Sequence, residues 1–325
     1  MTTPAILSAV QLAQFEEEGY LVVRGLFDLE EDIQPVVAEY SALLDHLAKT
    51  WVAEGKLSSA YDDLPFGKRL TRIIAESGQA YYQHMDISLP QANVSEETPI
   101  HHGPAIFNLM CSPRLLDAVE QFIGSEIYSN PVQHVRIKPP ERALPEDFAR
   151  NPLVTQTPWH QDLGVIDTEA DESNILTVWF PITEATVENG CLAVVPGSHR
   201  QDLALHCPHP TGTVNIPEKM IGAAGVPLPM NPGDVLFMTS TTMHTSLLNV
   251  SDKIRWSFDL RYNPIGQKTG RPWFPGFIAR SRSHPESELR DAGQWAALWR
   301  DARSHLARNG DPTFNRWDGN AEGCA

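Results

Sequence analysis

Basic residues are scarce in this chain: 25 Lys and Arg stand against 41 Asp and Glu, a formal net charge of −16 at pH 7. The pI is about 5.1. A surface this acidic repels phosphate backbones and anionic headgroups, which excludes nucleic acid and membrane as partners. It argues only weakly against a highly anionic thioester substrate, because a local basic pocket can still hold one. Long apolar runs are missing too, and no stretch approaches the roughly 20 residues of a membrane span. Residues 1 to 7 hold neither a basic region nor an apolar run, so no secretory leader is expected. Cysteine is rare, with Cys111, Cys191, Cys207 and Cys324 scattered at no metal-type spacing. The expectation is four free thiols in a reducing cytosol, hence a cytoplasmic protein. In that setting the sequons at Asn93 and Asn249 are chance matches. There is no internal repeat and no low-complexity linker, so a single domain is expected over residues 1–325.

What is present is proline, 26 residues of it, which breaks helices and favours a loop-rich, strand-rich architecture. Ser8-Ala9-Val10-Gln11 has the form of a capping box, opening a helix to Glu18 that Gly19 stops. Tyr20 to Val23 has the look of a short strand. Helical spacing recurs from Asp32 to Ala53, and Ser112-Pro113 opens a helix that Gly124 ends. From Glu126 the texture changes to short strand-like runs between turns: 127–137, 157–165, 175–180, 191–195, 235–238, 244–250 and 254–262. Asn189-Gly190 and Pro196-Gly197 are turn dipeptides. Such a series suggests a sandwich or barrel. A last helical stretch, Glu286 to Ala307, carries Trp295 and Trp299 and is expected to pack on the barrel or to serve a subunit contact in a homodimer. The tail from Asn309 is polar and expected to be loose.

Within the strand-rich part, His160-Gln161-Asp162 and His244 are candidate metal ligands. Two imidazoles and one carboxylate on one face of an iron leave three positions open, the donor set of non-haem Fe(II) oxygenases. On a strand, residues i and i+2 share a face, so a His-x-Asp there aims both ligands into one cavity. A second pair, His84-Met85-Asp86, follows Tyr81-Tyr82-Gln83 and belongs to a helix end. Eleven residues beyond His244 stands Arg255, able to hold a carboxylate bidentately. Together these point to iron, a keto-acid cosubstrate and dioxygen.

The succession His160-Gln161-Asp162, Trp179, Asn189-Gly190-Cys191-Leu192, Val195-Pro196-Gly197-Ser198-His199, Gly233-Asp234-Val235-Leu236-Phe237, His244, Asn249 and Arg255 resembles the phytanoyl-CoA dioxygenase family of Fe(II)/2-oxoglutarate-dependent oxygenases. It covers about 126–264, and 15–26 is similar to the family's opening segment. The resemblance implies a mainly β fold with flanking helices, its core a double-stranded β-helix (jelly roll). Helical regions at 1–125 and 265–325 would flank a core at about 126–264. It carries over His160, Asp162 and His244 as iron ligands and Arg255 as partner of the distal carboxylate of 2-oxoglutarate. Ser246 and Ser257 are candidate hydroxyl donors to that carboxylate, Trp179 a packing surface for the cosubstrate, and Gln133 a further contact. His199, after its tight turn, reads as structural, and His101-His102 as a loop.

The implied reaction oxidises a C–H bond of a small organic molecule with O2, releasing succinate and CO2. Hydroxylation is favoured over halogenation because Asp162 is present where the related halogenases have a small residue. Alternatives are an acyl-CoA hydroxylase of the same family, or a cupin-like isomerase or binding protein without oxygenase chemistry. For the substrate, Tyr81, Tyr82, Phe107, Trp159 and Phe258 are pocket candidates, though core packing suits most of them. Arg136 and Arg261 either meet an anionic substrate or sit in ion pairs. The acidic surface favours a free small molecule, in microbial secondary metabolism.

Overall fold

The computed structural model describes residues 6–148, 151, 153–208, 213–222, 224–310, 316, 317, 321, 323 and 324. Its strands are β1 (Tyr20–Val23), β2 (Glu126–Lys138), β3 (Leu176–Pro181), β4 (Leu192–Val194), β5 (Cys207–Pro208), β6 (Val214–Asn215), β7 (Val226–Leu228), β8 (Val235–Thr239), β9 (His244–Ser246), β10 (Arg255–Pro264) and β11 (Phe277–Ser281). The helices are α1 (Ala9–Glu18), α2 (Gln34–Ala53), α3 (Phe66–Ser77), α4 (Tyr81–Met85), α5 (Pro104–Met110), α6 (Pro113–Ile123) and α7 (Ala292–Asn309). The expected capping box forms at Ser8 and Gln11, and Gly19 ends α1 in the left-handed region.

A six-stranded antiparallel sheet, β1-β8-β3-β10-β2-β11, faces a smaller one, β7-β4-β9. The chain passes from one to the other between β3 and β4, β8 and β9, and β9 and β10, which is the double-stranded β-helix. Strand alternation divides the large sheet into two chemically distinct faces. Val135, Ile137, Val178, Phe180, Phe237, Trp256, Phe258 and Tyr262 lie on one face and join the helices in the main core. The residues between them point into the lumen: His134, Arg136 and Lys138 on β2, Thr177 and Trp179 on β3, and Arg255, Ser257, Asp259 and Arg261 on β10. The helix-covered face thus holds the main core, while the lumen face carries polar groups on β2, β3 and β10 beside a second apolar cluster that includes Tyr20, Leu192, Leu236 and Met238.

Several expectations are corrected or decided here. Residues 157–165 are not a strand: His160 makes a single bridge with His244, and Asp162–Val165 is a 3-10 turn. Trp295 and Trp299 are fully buried within the chain, against His102, Phe107 and Phe274. The tryptophan face of α7 is therefore used internally and is not open to a second copy. Tyr81, Phe107 and Phe258 are likewise core. Cys207 and Cys324 form a disulfide, leaving only Cys111 and Cys191 as free thiols. The tail expected to be loose lies largely outside the described residues, but Arg316 and Trp317 are packed: Arg316 donates to Leu163 O and Trp317 to Gly164 O. No helix among the described residues is long and apolar enough to cross a membrane.

Candidate metal and cosubstrate site

His160 and His244 are brought together by their antiparallel bridge, with reciprocal backbone hydrogen bonds of 3.0 and 2.9 Å. Their ring centroids are 4.2 Å apart. Each Nδ1–H donates to a carbonyl two residues back, His160 to Pro158 (2.8 Å) and His244 to Thr242 (3.0 Å). Those bonds fix the tautomer and leave each Nε2 lone pair free, the arrangement metal-ligating histidines need. The Nε2 atoms lie 3.8 and 4.0 Å from Asp162 Oδ1. All three ligand atoms fall within 4.8 Å of one another, so the residues fit a metal ion. Burial holds His160 neutral, its pKa pushed down to about 3.

The turn between the ligands is clamped by Gln161. Its side chain donates to Thr241 O at 2.7 Å and accepts from Ala204 N–H at 2.8 Å. Its own N–H donates to His206 Nε2 at 2.9 Å. His206 stacks on Trp317, and a side chain at Gly164 would run into the His206 ring at 2.2 Å. Asp162 is held from beneath: Thr177 Oγ1 donates to Oδ2 and Arg261 donates to Oδ1. Burial alone would raise the Asp162 pKa, but Arg261 and the two imidazoles hold it below the ordinary carboxylate value. Arg261 also donates to Val132 O and lies 3.3 Å from Asp259 Oδ1. It is therefore a buried ion-pair residue, not a surface one.

Arg255 is 1% exposed and has no carboxylate partner among the described residues. Its Nε donates to Gly190 O at 3.1 Å, one terminal nitrogen donates to Ser257 Oγ, and its guanidinium lies 5.7 Å from the Trp179 ring centroid. Gly190 has φ +92°, and a Cβ there would meet Leu247 O at 2.6 Å. The Asn-Gly turn is thus what presents this carbonyl to Arg255. Burial lowers the Arg255 pKa to about 9.

Directly across the sheet from Arg255 stands Lys138, a residue the sequence reading did not single out. It is 1% exposed, and its Nζ donates to Ser246 Oγ at 2.7 Å and Thr157 Oγ1 at 2.8 Å. Burial, with Arg255 and Arg136 nearby, drives its pKa well below the usual lysine value. Glu141 opposes that shift from a distance, and no ion pair to Lys138 forms among the described residues. Two adjacent buried cations without an anion are costly, and the cost is offset when a carboxylate arrives between them. Ser246 lies two residues beyond His244 on the same face of β9, roughly 7 Å along the strand. That spacing matches a five-carbon dicarboxylate reaching from the metal end to the cationic end.

Not every candidate joins this group. The Gln133 amide donates to Ile87 O at 2.9 Å and is taken up outside the lumen. His84 and Asp86 do not act as a pair: Asp86 accepts from Val135 N–H and from His134 Nδ1, capping the free edge of β2. His199 donates to Glu16 O, as a structural residue would. Three histidines, His102, His160 and His206, are pushed by burial to about 3, 3 and 4. Unfolding lets each return towards 6.5, so the unfolded chain binds more protons below that value. Stability of the metal-free protein should therefore hold above pH 6.5 and fall from there towards pH 4, by up to about 1.4 kcal/mol per pH unit per histidine. Urea denaturation at pH 7, 6 and 5 measures the slope, and a flat profile would refute neutral burial.

The phytanoyl-CoA dioxygenase (PhyH) family profile matches residues 15–257. Peroxisomal phytanoyl-CoA dioxygenase of Bos taurus is 27% identical over 256 residues, covering 77% of this chain and 66% of that protein. Ectoine dioxygenase of Bordetella bronchiseptica is 25% identical over 287 residues, covering 82% and 78%. Among solved structures, EvdO2 from Micromonospora carbonacea var. aurantiaca complexed with 2-oxoglutarate aligns with TM-score 0.52 at 20% identity, covering 85% of this chain and all of that one. The carbocyclase SnoK from nogalamycin biosynthesis aligns with TM-score 0.51 at 18% identity, covering 89% and 96%. These likenesses show the cupin-like fold. With a His-Asp-His site in its lumen and the family profile across most of its length, the chain belongs to the phytanoyl-CoA dioxygenase family of iron- and 2-oxoglutarate-dependent oxygenases.

Proposed function

We infer that the chain is one catalytic domain that oxidises a C–H bond of a small organic molecule, by hydroxylation, while 2-oxoglutarate becomes succinate and CO2. The observation that carries this reading is the spacing on β9. His244 faces the metal position, and Ser246, two residues on, accepts from Lys138 beside Arg255. His160, Asp162 and His244 would hold Fe(II), which supplies the activation of dioxygen against a keto acid. The carbonyls of Pro158 and Thr242 keep both Nδ1 protons in place, so the imidazoles bind without a proton leaving. Arg255 and Lys138, with Ser246 and Ser257, would receive the distal carboxylate, and Trp179 would pack along the cosubstrate. Asp162 occupies the position that halogenases leave open for chloride, which favours hydroxylation.

The substrate is a free small molecule of microbial secondary metabolism, not a coenzyme A thioester; the acidic chain supports this. A cytoplasmic setting belongs to the same proposal. The Cys207–Cys324 disulfide stands against it, and alkylating thiols in intact cells before lysis decides the point.

The test is anaerobic. Fe(II) and then 2-oxoglutarate are added to metal-free protein and to Arg255→Ala. The expected result is a visible charge-transfer band in the parent protein, with half-saturation raised roughly 30-fold in the variant, as for a lost charged hydrogen bond of ~2 kcal/mol. Iron binding without any band would overturn the oxygenase reading.

A further inference from the structure

One cation of the lumen remains without a task. Arg136 lies on the lumen face of β2, between His134 and Lys138 and opposite Ser257 of β10. Arg261 is committed to Asp162 and Asp259, Arg255 to Gly190 O and Ser257, and Lys138 to Ser246 and Thr157. The Arg136 side chain makes no hydrogen bond and no ion pair with any described residue, and it is partly exposed where its neighbours Val135, Ile137 and Lys138 are buried. Since the other face of β2 is packed under helices, that exposure opens onto the lumen side. Next to it, His134 is fixed through Nδ1 to Asp86 at 2.9 Å, and its Nε2 makes no hydrogen bond to any described residue. This stretch of β2 has no neighbouring strand beyond β10. Its edge is capped by Asp86 and by Tyr81, whose hydroxyl donates to Ile137 O, so the lumen wall ends here.

Resting on the oxygenase reading, we propose that Arg136 receives a carboxylate of the substrate, so that the enzyme acts on a free carboxylic acid and not on an ester or thioester of it. A guanidinium at the rim of the lumen, one step along β2 from the cosubstrate's cationic end, matches a carboxylate in two parallel hydrogen bonds. The His134 ring beside it adds an acceptor for a neighbouring O–H or N–H. An ester or thioester removes the charge that the guanidinium recognises and leaves Arg136 unpaired under a bound acyl group.

The experiment uses anaerobic protein carrying Fe(II) and titrated to saturation with 2-oxoglutarate, so the band itself reports on the oxygenase reading before any probe is added. Octanoate, phenylacetate and benzoate are then added at millimolar concentration, each beside its methyl ester and its coenzyme A thioester. The expected result is that at least one acid shifts the band while its ester and thioester do not. Arg136→Gln should raise the half-saturating concentration of that acid roughly tenfold or more, and Arg136→Lys should recover part of it. The proposal is overturned by equal shifts by acid and ester, by a shift by the thioester alone, by an unchanged response in Arg136→Gln, or by no shift by any acid. A loss of the band that extra 2-oxoglutarate reverses also overturns it, by placing the acid in the cosubstrate pocket. Absence of the band at the outset sinks the oxygenase reading instead, and this inference with it.

Discussion

Asp162→Ala is expected to abolish succinate formation and, separately, to destabilise the metal-free protein by about 3–5 kcal/mol. The first effect follows from removing the one carboxylate that faces both Nε2 atoms. The second follows from what the carboxylate leaves behind. Arg261 is 3% exposed, and its pKa, which burial alone would lower, is raised by Asp162 first and Asp259 second. Without Asp162 it keeps only the Val132 carbonyl and a partly exposed Asp259 at 3.3 Å, and the Thr177 hydroxyl loses its acceptor. Pairing Asp162→Ala with Arg261→Met should therefore restore much of the stability and none of the turnover. Thermal denaturation and a succinate assay on the two variants separate the effects. Full turnover in Asp162→Ala would sink the ligand assignment, and an unchanged melting temperature would sink the ion pair.

The two roles of Asp162 were not equally legible in the sequence. A His-x-Asp followed by a distant His and an Arg has a spacing that chemistry explains, and the structure brings His160, Asp162 and His244 within reach of one ion. A strand was expected to aim both ligands, whereas a single bridge residue and a 3-10 turn do so, held by Gln161, His206 and Gly164. Those contacts cross more than 40 residues of chain, and nothing local announces them. Ser246 was visible because it shares a periodicity with His244. Lys138 was not, because a lone lysine before Pro139-Pro140 looks like the end of a strand entering solvent. Only the pairing of β2 with β10 sets it opposite Arg255. Gln133 is an odd position on a strand whose even positions face the lumen, and the phase of β2 cannot be set without knowing which face the helices cover. The disulfide is not legible in the sequence either, since 117 residues separate Cys207 from Cys324 and no local spacing pairs them.

Lys138→Met carries the second large effect, and its direction differs between stability and function. In the metal-free protein Lys138 is a buried charge beside Arg255, and its lowered pKa records that the fold disfavours the ammonium. Between that lowered value and the ordinary 10.5 the unfolded chain binds the extra proton, so the stability of the parent protein should rise with pH across this window. Methionine fills similar volume without the charge. Ser246 Oγ still accepts from Thr157 N–H at 2.8 Å, so the loss of Nζ does not orphan it. The melting temperature of the apo variant should be unchanged or higher, as when buried charges are replaced by apolar side chains. Binding of 2-oxoglutarate should weaken roughly 30-fold, the loss of a charged hydrogen bond of about 2 kcal/mol. Turnover at saturating 2-oxoglutarate should stay near the parent value, because the lost interaction is uniform between bound ground state and transition state. A residue that merely supported the fold would do the reverse, lowering the melting temperature and leaving KM for 2-oxoglutarate in place. Measuring both on Lys138→Met, with Lys138→Arg as the charge-retaining control, therefore tells a cosubstrate anchor from a structural lysine. An unchanged KM in the methionine variant would remove Lys138 from the site and leave Arg255 as the only cation there.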